Sequence, residues 1–139
     1  MASAMTKFYS YIEALHKGKH NWGSDTFKFM LTNTLPVVTN TQKSDITEIA
    51  GGNGYTAGGH TFNITSAVQA LGIFKLVGDD IVITASGSIG PFRYVVLYND
   101  TVSGDLLVGF YDAGSAITLI AGQTFTIDAS QVSGLFTAQ

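Results

Sequence analysis

The sequence predicts an all-β fold: a single antiparallel β-sandwich with a short N-terminal helix or arm. Three observations carry that prediction. Short apolar-alternating runs recur about every 8–12 residues through the last two-thirds of the chain, the cadence of a sandwich or barrel. Clusters of Gly, Asn and Asp separate these runs, as turns require. The strongest run, Phe92-Arg93-Tyr94-Val95-Val96-Leu97-Tyr98, carries aromatic and branched residues on both faces, the pattern of a central strand covered on both sides. A length of 139 residues sets one domain as the expectation, with an arm over residues 1–23 and a β body over 24–139.

The arm comes first. Phe8, Ile12 and Leu15 recur at i, i+4 and i+7, and Tyr11 falls on the same side, which is one face of a short helix. Thr6 is a candidate cap, and Gly18 a candidate stop. Lys17 and Lys19, with His16 and His20 nearby, sit at the C-terminal end, where the helix dipole favours positive charge. Three Lys against one Glu give residues 1–23 a net charge of +2 and leave −5 on the remainder. An aromatic, basic segment on a weakly acidic body is suited to docking on a neighbour; the alternative is that the helix covers one open end of the sandwich.

The body follows. Phe27-Lys28-Phe29-Met30-Leu31 alternates as a strand, with Phe27, Phe29 and Leu31 on the inner face and Leu35-Pro36 ending it. Ile46-Thr47-Glu48-Ile49 is too short for periodicity to decide between a strand and a helical turn. Residues 51–59 are the densest Gly stretch and predict a long flexible loop. Strands are expected over 61–65, 73–77, 81–85, 92–98, 106–111, 117–120, 124–128 and 135–137, with Gly78-Asp79-Asp80 joining two of them in a tight hairpin. Phe29, Leu31, Ile83, Val95, Leu97, Phe125 and Ile127 are the expected core.

Composition narrows the function. Charged residues are 12% of the chain, against about 25% in ordinary soluble domains. Such a surface repels itself weakly and is tolerable where partners cover much of it; a monomer with a Thr-rich β surface is the plain alternative. Only seven residues are Lys or Arg, and the net charge is −3, which argues against nucleic-acid binding. No apolar run approaches the ~18 residues of a membrane span, and residues 1–7 do not lead into the apolar core of a cleaved secretory signal. The absence of Cys excludes disulfides and thiolate metal sites.

Nothing in the sequence supports catalysis or a cofactor. Gly52-Asn53-Gly54-Tyr55-Thr56-Ala57 fits a dinucleotide fingerprint only formally, because a Thr-rich strand follows where a helix must hold the pyrophosphate. His16 and His20 are spaced i, i+4, but Gly18 interrupts a helix between them. Asp79 and Asp80 are turn formers before they are Ca²⁺ ligands. There is no Gly-x-Ser-x-Gly elbow, and only two acids are Glu, so neither a nucleophile nor a facing carboxylate pair stands out. Six Tyr and one Trp permit a sugar-binding platform, although Tyr94, Tyr98 and Tyr111 fall within strands and are better suited to packing.

Several stretches together resemble proteins of tailed-phage virions. They are Lys28-Phe29-Met30-Leu31-Thr32-Asn33-Thr34, Asp45-Ile46-Thr47-Glu48-Ile49-Ala50, the Gly-rich loop 51–59, and Gly90-Pro91-Phe92-Arg93-Tyr94-Val95-Val96-Leu97-Tyr98-Asn99. The pattern is most similar to the capsid decoration, or cement, proteins. That resemblance implies a jelly-roll type of β-sandwich. It implies a homo-oligomer, a dimer or trimer, on the outer surface of the capsid, made in the host cytoplasm and bridging major capsid protein subunits. It carries no catalytic residue. The alternative from the same resemblance is a tail or fibre component acting as a binding module, one that recognises carbohydrate for instance. For contacts to a partner, the expected residues are Phe8, Tyr9, Tyr11, Lys17, Lys19 and Trp22: large apolar anchors with a basic rim.

Overall fold

The computed structural model describes residues 5–128 and 136–138. In chain order the elements are β1 (Thr6–Lys7), α1 (Tyr9–His16), β2 (Phe27–Thr32), a 3₁₀ turn (Lys43–Asp45), β3 (His60–Thr61), β4 (Ile64–Ala70), β5 (Ile73–Gly78), β6 (Ile81–Thr84), β7 (Ile89–Asn99), β8 (Leu107–Leu119), β9 (Thr124–Ile127) and β10 (Phe136–Ala138). The main sheet has the order β1-β8-β7-β2-β3, and two smaller sheets run β10-β5-β4 and β6-β9. All the pairings are antiparallel. The fold is all-β and sandwich-like, with one short helix, as the strand cadence predicts.

β7 is the middle strand of the main sheet, and both of its faces are buried. Val95 and Leu97 join Phe29, Leu31 and Phe92 in the larger core, which also takes Leu76, Ile83 and Ile127 from the smaller sheets. Tyr94, Val96 and Tyr98 point the other way and pack with Met30, Leu107 and Phe110 in a second cluster. Phe8, Val38 and Ile46 cover that second face, so the main sheet has no solvated side here. Of the expected core, only Phe125 is less than fully buried; it packs edge-on against Phe92 at 5.0 Å.

Several local expectations are corrected or settled. Gly78-Asp79-Asp80 is not a hairpin: β5 pairs with β4 and β10, and β6 pairs with β9, so this segment carries the chain from one sheet to another. The hairpin partner of β5 is β4, which runs on to Ala70 through the small and polar residues Ser66, Ala67 and Gln69, a weak strand signal. The runs 106–111 and 117–120 are one strand, β8. Asp112, Gly114 and Ser115 carry turn chemistry, but register shifts absorb the irregularity and the Arg93–Asp112 ion pair at 2.8 Å ties it to β7. The stretch 46–49 gives a single bridge, Glu48 with Thr32, just after the 3₁₀ turn. The last expected strand, 135–137, is β10, with residue 135 outside the described residues.

The arm is settled in favour of the alternative, a segment that covers the body. Residues 5–23 are built into the body. β1 pairs with β8, Trp22 stacks on Phe27 at 3.9 Å, and its indole N–H donates to the Tyr11 hydroxyl at 3.1 Å. Thr6 lies in β1, and the residue before the helix is Phe8, with no side-chain cap. Phe8 is buried in the second cluster, 5.5 Å from the Phe110 ring, while Ile12 faces solvent. The apolar face is thus Tyr11 with a half-buried Leu15, and Phe8 serves a different core. The stop at Gly18 holds: its φ is 76°, its amide donates to Leu15 and the Lys19 amide to Ala14, the paired bonds of a Schellman ending.

Candidate interaction surface

The helix start is fastened to the loop after β2, because the Tyr9 amide donates to the Val38 carbonyl at 2.9 Å. That loop is shaped locally. Pro36 is buried, and Asn40 closes a turn on Val37, its side chain accepting from the Val37 amide and its own amide donating to the Val37 carbonyl. Helix start and loop are thereby neighbours, and each carries exposed apolar side chains, Tyr9 and Ile12 on the helix and Leu35 and Val37 on the loop, each between 55% and 68% exposed. A shallow cavity of 120 Å³ opens beside Leu35 and Val37. Lys17 stands at the far end of the helix, in an exposed ion pair with Glu13 at 2.8 Å, and Lys19 is exposed just beyond. Exposed apolar side chains with a basic rim are what a protein partner would cover.

The structure divides the six residues expected to contact a partner. Tyr9, Lys17 and Lys19 are exposed; Phe8, Tyr11 and Trp22 are buried among residues of their own chain. Sequence reasoning grouped them because aromatics in a basic segment look alike whether they face inward or outward. It missed Ile12, Leu35 and Val37, for which Pro36 was the one local signal: an apolar-Pro-apolar loop that is not a strand.

A polar network holds the Gly-rich loop. The Tyr55 hydroxyl donates to the Glu48 carboxylate at 2.5 Å and accepts from the Leu31 amide at 3.0 Å. The same carboxylate oxygen accepts from the Gly58 amide at 2.7 Å, and the Tyr98 hydroxyl donates to the Gly58 carbonyl at 2.5 Å. Burial, reinforced by Glu48, pushes the Tyr55 hydroxyl far above the ordinary phenol range, so it remains a donor. Burial does the same at Tyr98, with nearby acids adding to it. The loop expected to be flexible is therefore fastened to the sheet at Tyr55 and Gly58. It leads into β3, not a helix, so the formal dinucleotide motif has no helix N-terminus to offer.

A second network joins the N-terminal segment to β7. The Asn99 amide nitrogen donates to the Asp25 carboxylate at 2.8 Å and contacts His20 Nδ1 at 3.1 Å, while its oxygen accepts from the Thr101 amide at 2.9 Å. These partners orient the amide, so His20 Nδ1 is the acceptor and the neutral ring carries its proton on Nε2. Burial holds the His20 pKa below its ordinary value, with Asp25 opposing in part. His16, by contrast, sits on the helix with Nδ1 against the Ile12 carbonyl at 2.8 Å, so the two imidazoles face different surroundings. Among the described residues no three His, Asp or Glu side chains gather at metal-binding distance. Asp79 is engaged by the Asn63 side chain. No helix among them is long and apolar enough to cross a membrane.

The aromatic rings are turned inward. Tyr11, Tyr55, Tyr94, Tyr98, Tyr111 and Trp22 are all buried, leaving Tyr9 as the exposed ring among the tyrosines and tryptophan. No family model matches the chain, and neither does any curated protein or solved structure.

Proposed function

We propose that this protein is a structural component of a phage particle that decorates and cements the outside of the capsid, binding across major capsid protein subunits as a homo-oligomer. The observation that carries the reading is the exposed apolar surface of Tyr9, Ile12, Leu35 and Val37 on a β body poor in charge. It is supported by the resemblance of the β2, Gly-loop and β7 sequences to decoration proteins. Tyr9 and Ile12 are the proposed anchors, and Lys17 and Lys19 the rim. Many copies on a symmetric shell make a modest contact sufficient, since lattice binding adds stability by mass action. The protein acts by contact alone, without chemistry or cofactor.

The alternative, a carbohydrate-recognising module on a tail or fibre, calls for exposed rings in a row; the burial of Tyr94, Tyr98, Tyr111 and Trp22 weighs against it. Immunogold labelling of purified particles separates the two. Label on the shell supports the capsid reading, label on the tail supports the alternative, and unlabelled particles overturn both.

A further inference from the structure

A second surface lies at the open edge of β4. Among the described residues β4 pairs with β5 alone and ends its sheet. Such an edge is normally blunted by charge or Pro. Here Ile64–Ala70 contains neither, and its one register shift, between Ile64 and Ser66, leaves Ser66–Ala70 regular. A groove of 460 Å³ runs along the N-terminal half of this edge, between residues 61–67 and the loop 22–26. Its lining sets Trp22, Phe62 and Ile64 among polar groups that include Asp25, Thr26 and Thr65, and none of it comes from β5, which places it on the unpaired side. At the other end of the strand is the turn to β5, where Leu71 is 100% exposed with φ 54° and Gly72 has φ 80°. Positive φ at both positions marks a type I′ turn, which favours Asn or Gly at the first of them. A leucine there is strained and gains no burial within its own chain.

We propose that the chain forms a two-fold homodimer by antiparallel pairing of the two β4 edges, with Leu71 of each copy seated in the groove of the other. The geometry selects this occupant. A strand centred on Ala67 and laid antiparallel on itself sets Ser66 opposite Val68 and, beyond the register shift between Ile64 and Ser66, brings Leu71 to the Phe62–Asn63 end of the second copy's edge. Leu71 lies four residues from the centre, about 13 Å along the strand, and the groove lies a matching distance on the other side. Knob and groove at opposite halves of one edge are what an isologous contact requires. The uncharged edge brings no like charges into opposition. Val68, 59% exposed, is covered in the same contact. This dimer specifies the oligomer of the capsid reading, but it is tested on the purified chain and stands or fails separately from location on a particle.

The test is sedimentation equilibrium of the full chain and of Leu71→Asn. The wild type is expected to be a dimer. Leu71→Asn creates the Asn-Gly pair that the turn prefers, so its melting temperature, taken where both proteins are monomeric, should match or exceed that of the wild type. Its dimer dissociation constant should rise about a hundredfold or more, because two buried leucines are lost. A wild type that stays monomeric at about 100 μM, beyond the weak end of specific association, overturns the proposal. So does a trimer, or a Leu71→Asn dimer as tight as the wild type. The chain has no Cys, so the pair Asn63→Cys with Leu71→Cys gives a second readout. Oxidation should link residue 63 of one copy to residue 71 of the other, while Leu71→Cys alone should not link. Absence of the 63–71 link, or efficient 71–71 linkage, contradicts the geometry.

Discussion

The Tyr55 hydroxyl and the Glu48 carboxylate meet at 2.5 Å and together fasten the Gly-rich loop to the main sheet. Tyr55 also satisfies the Leu31 amide, and Glu48 also satisfies the Gly58 amide, so this contact closes polar groups on three segments. Tyr55→Phe removes the hydroxyl from a buried site and leaves the Leu31 N–H without that acceptor. The expected loss is about 1–3 kcal/mol, measured by chemical denaturation, with faster hydrogen exchange over residues 51–59.

Gly59 belongs to the same loop and has a different vulnerability. Its φ is 94°, and a Cβ there would sit 2.1 Å from the Phe29 carbonyl oxygen. Gly59→Ala combines left-handed strain with a backbone collision in a buried strand. We expect about 2–5 kcal/mol of destabilisation. A melting temperature unchanged from wild type would show that the loop does not pack on β2 this closely.

The two-sided burial of β7 predicts a contrast between core and surface. Leu97 is fully buried, and Leu97→Ala should cost about 2–5 kcal/mol. Ile12 is 57% exposed, and Ile12→Ala should change stability by no more than about 0.5 kcal/mol. Equal effects in a denaturant titration would contradict the assignment of Ile12 to the surface.

His20 gives the fold a pH dependence with a definite sign. Burial lowers its folded pKa, and burial lowers that of His60 as well. Above the ordinary histidine value of about 6.5, both folded and unfolded states are neutral and stability is complete. As pH falls below that value the unfolded chain takes up protons that the folded chain resists, so stability drops. Protonation at Nδ1 would also set a donor against the Asn99 amide nitrogen, with Asp25 the one neighbouring charge in favour. Melting temperature should therefore fall from pH 7 to pH 5, and His20→Gln should flatten the slope. A wild type whose melting temperature rises toward pH 5 would reverse the argument.

The N-terminal segment shows how far the sequence was legible. Strand cadence and the two-sided pattern of Phe92–Tyr98 are repeated, redundant signals, and they carried the fold class and most of the core. Orientation of single aromatics is not redundant. Tyr9 and Tyr11 differ by two positions on one helix, and only packing against Trp22 and His20 decides that one is out and the other in. Pairing partners are non-local too: the turn at Leu71-Gly72 lacks the Asn or Asp that announces a hairpin, whereas Gly78-Asp79-Asp80 has that chemistry and joins two different sheets. The Leu35–Val37 surface depends on the helix start bonding to Val38, a contact between segments far apart in the chain.

Because Tyr11 and Trp22 complete the larger core and Phe8 the second cluster, deleting residues 1–23 should abolish cooperative unfolding instead of leaving a stable body. A truncated chain with a sharp melting transition would restore the segment to the status of a detachable arm.

We propose that the folded chain cements a capsid through Tyr9 and Ile12. The most direct measurement is cryo-electron microscopy of particles carrying this protein, with occupancy compared between wild type and the exposed-site variant Tyr9→Asp/Ile12→Asp. Density is expected on the outer shell across major capsid protein boundaries, with the helix and the loop of Leu35 and Val37 against the shell, and occupancy sharply reduced in the variant. Density confined to the tail, or full shell occupancy by the variant, would contradict it.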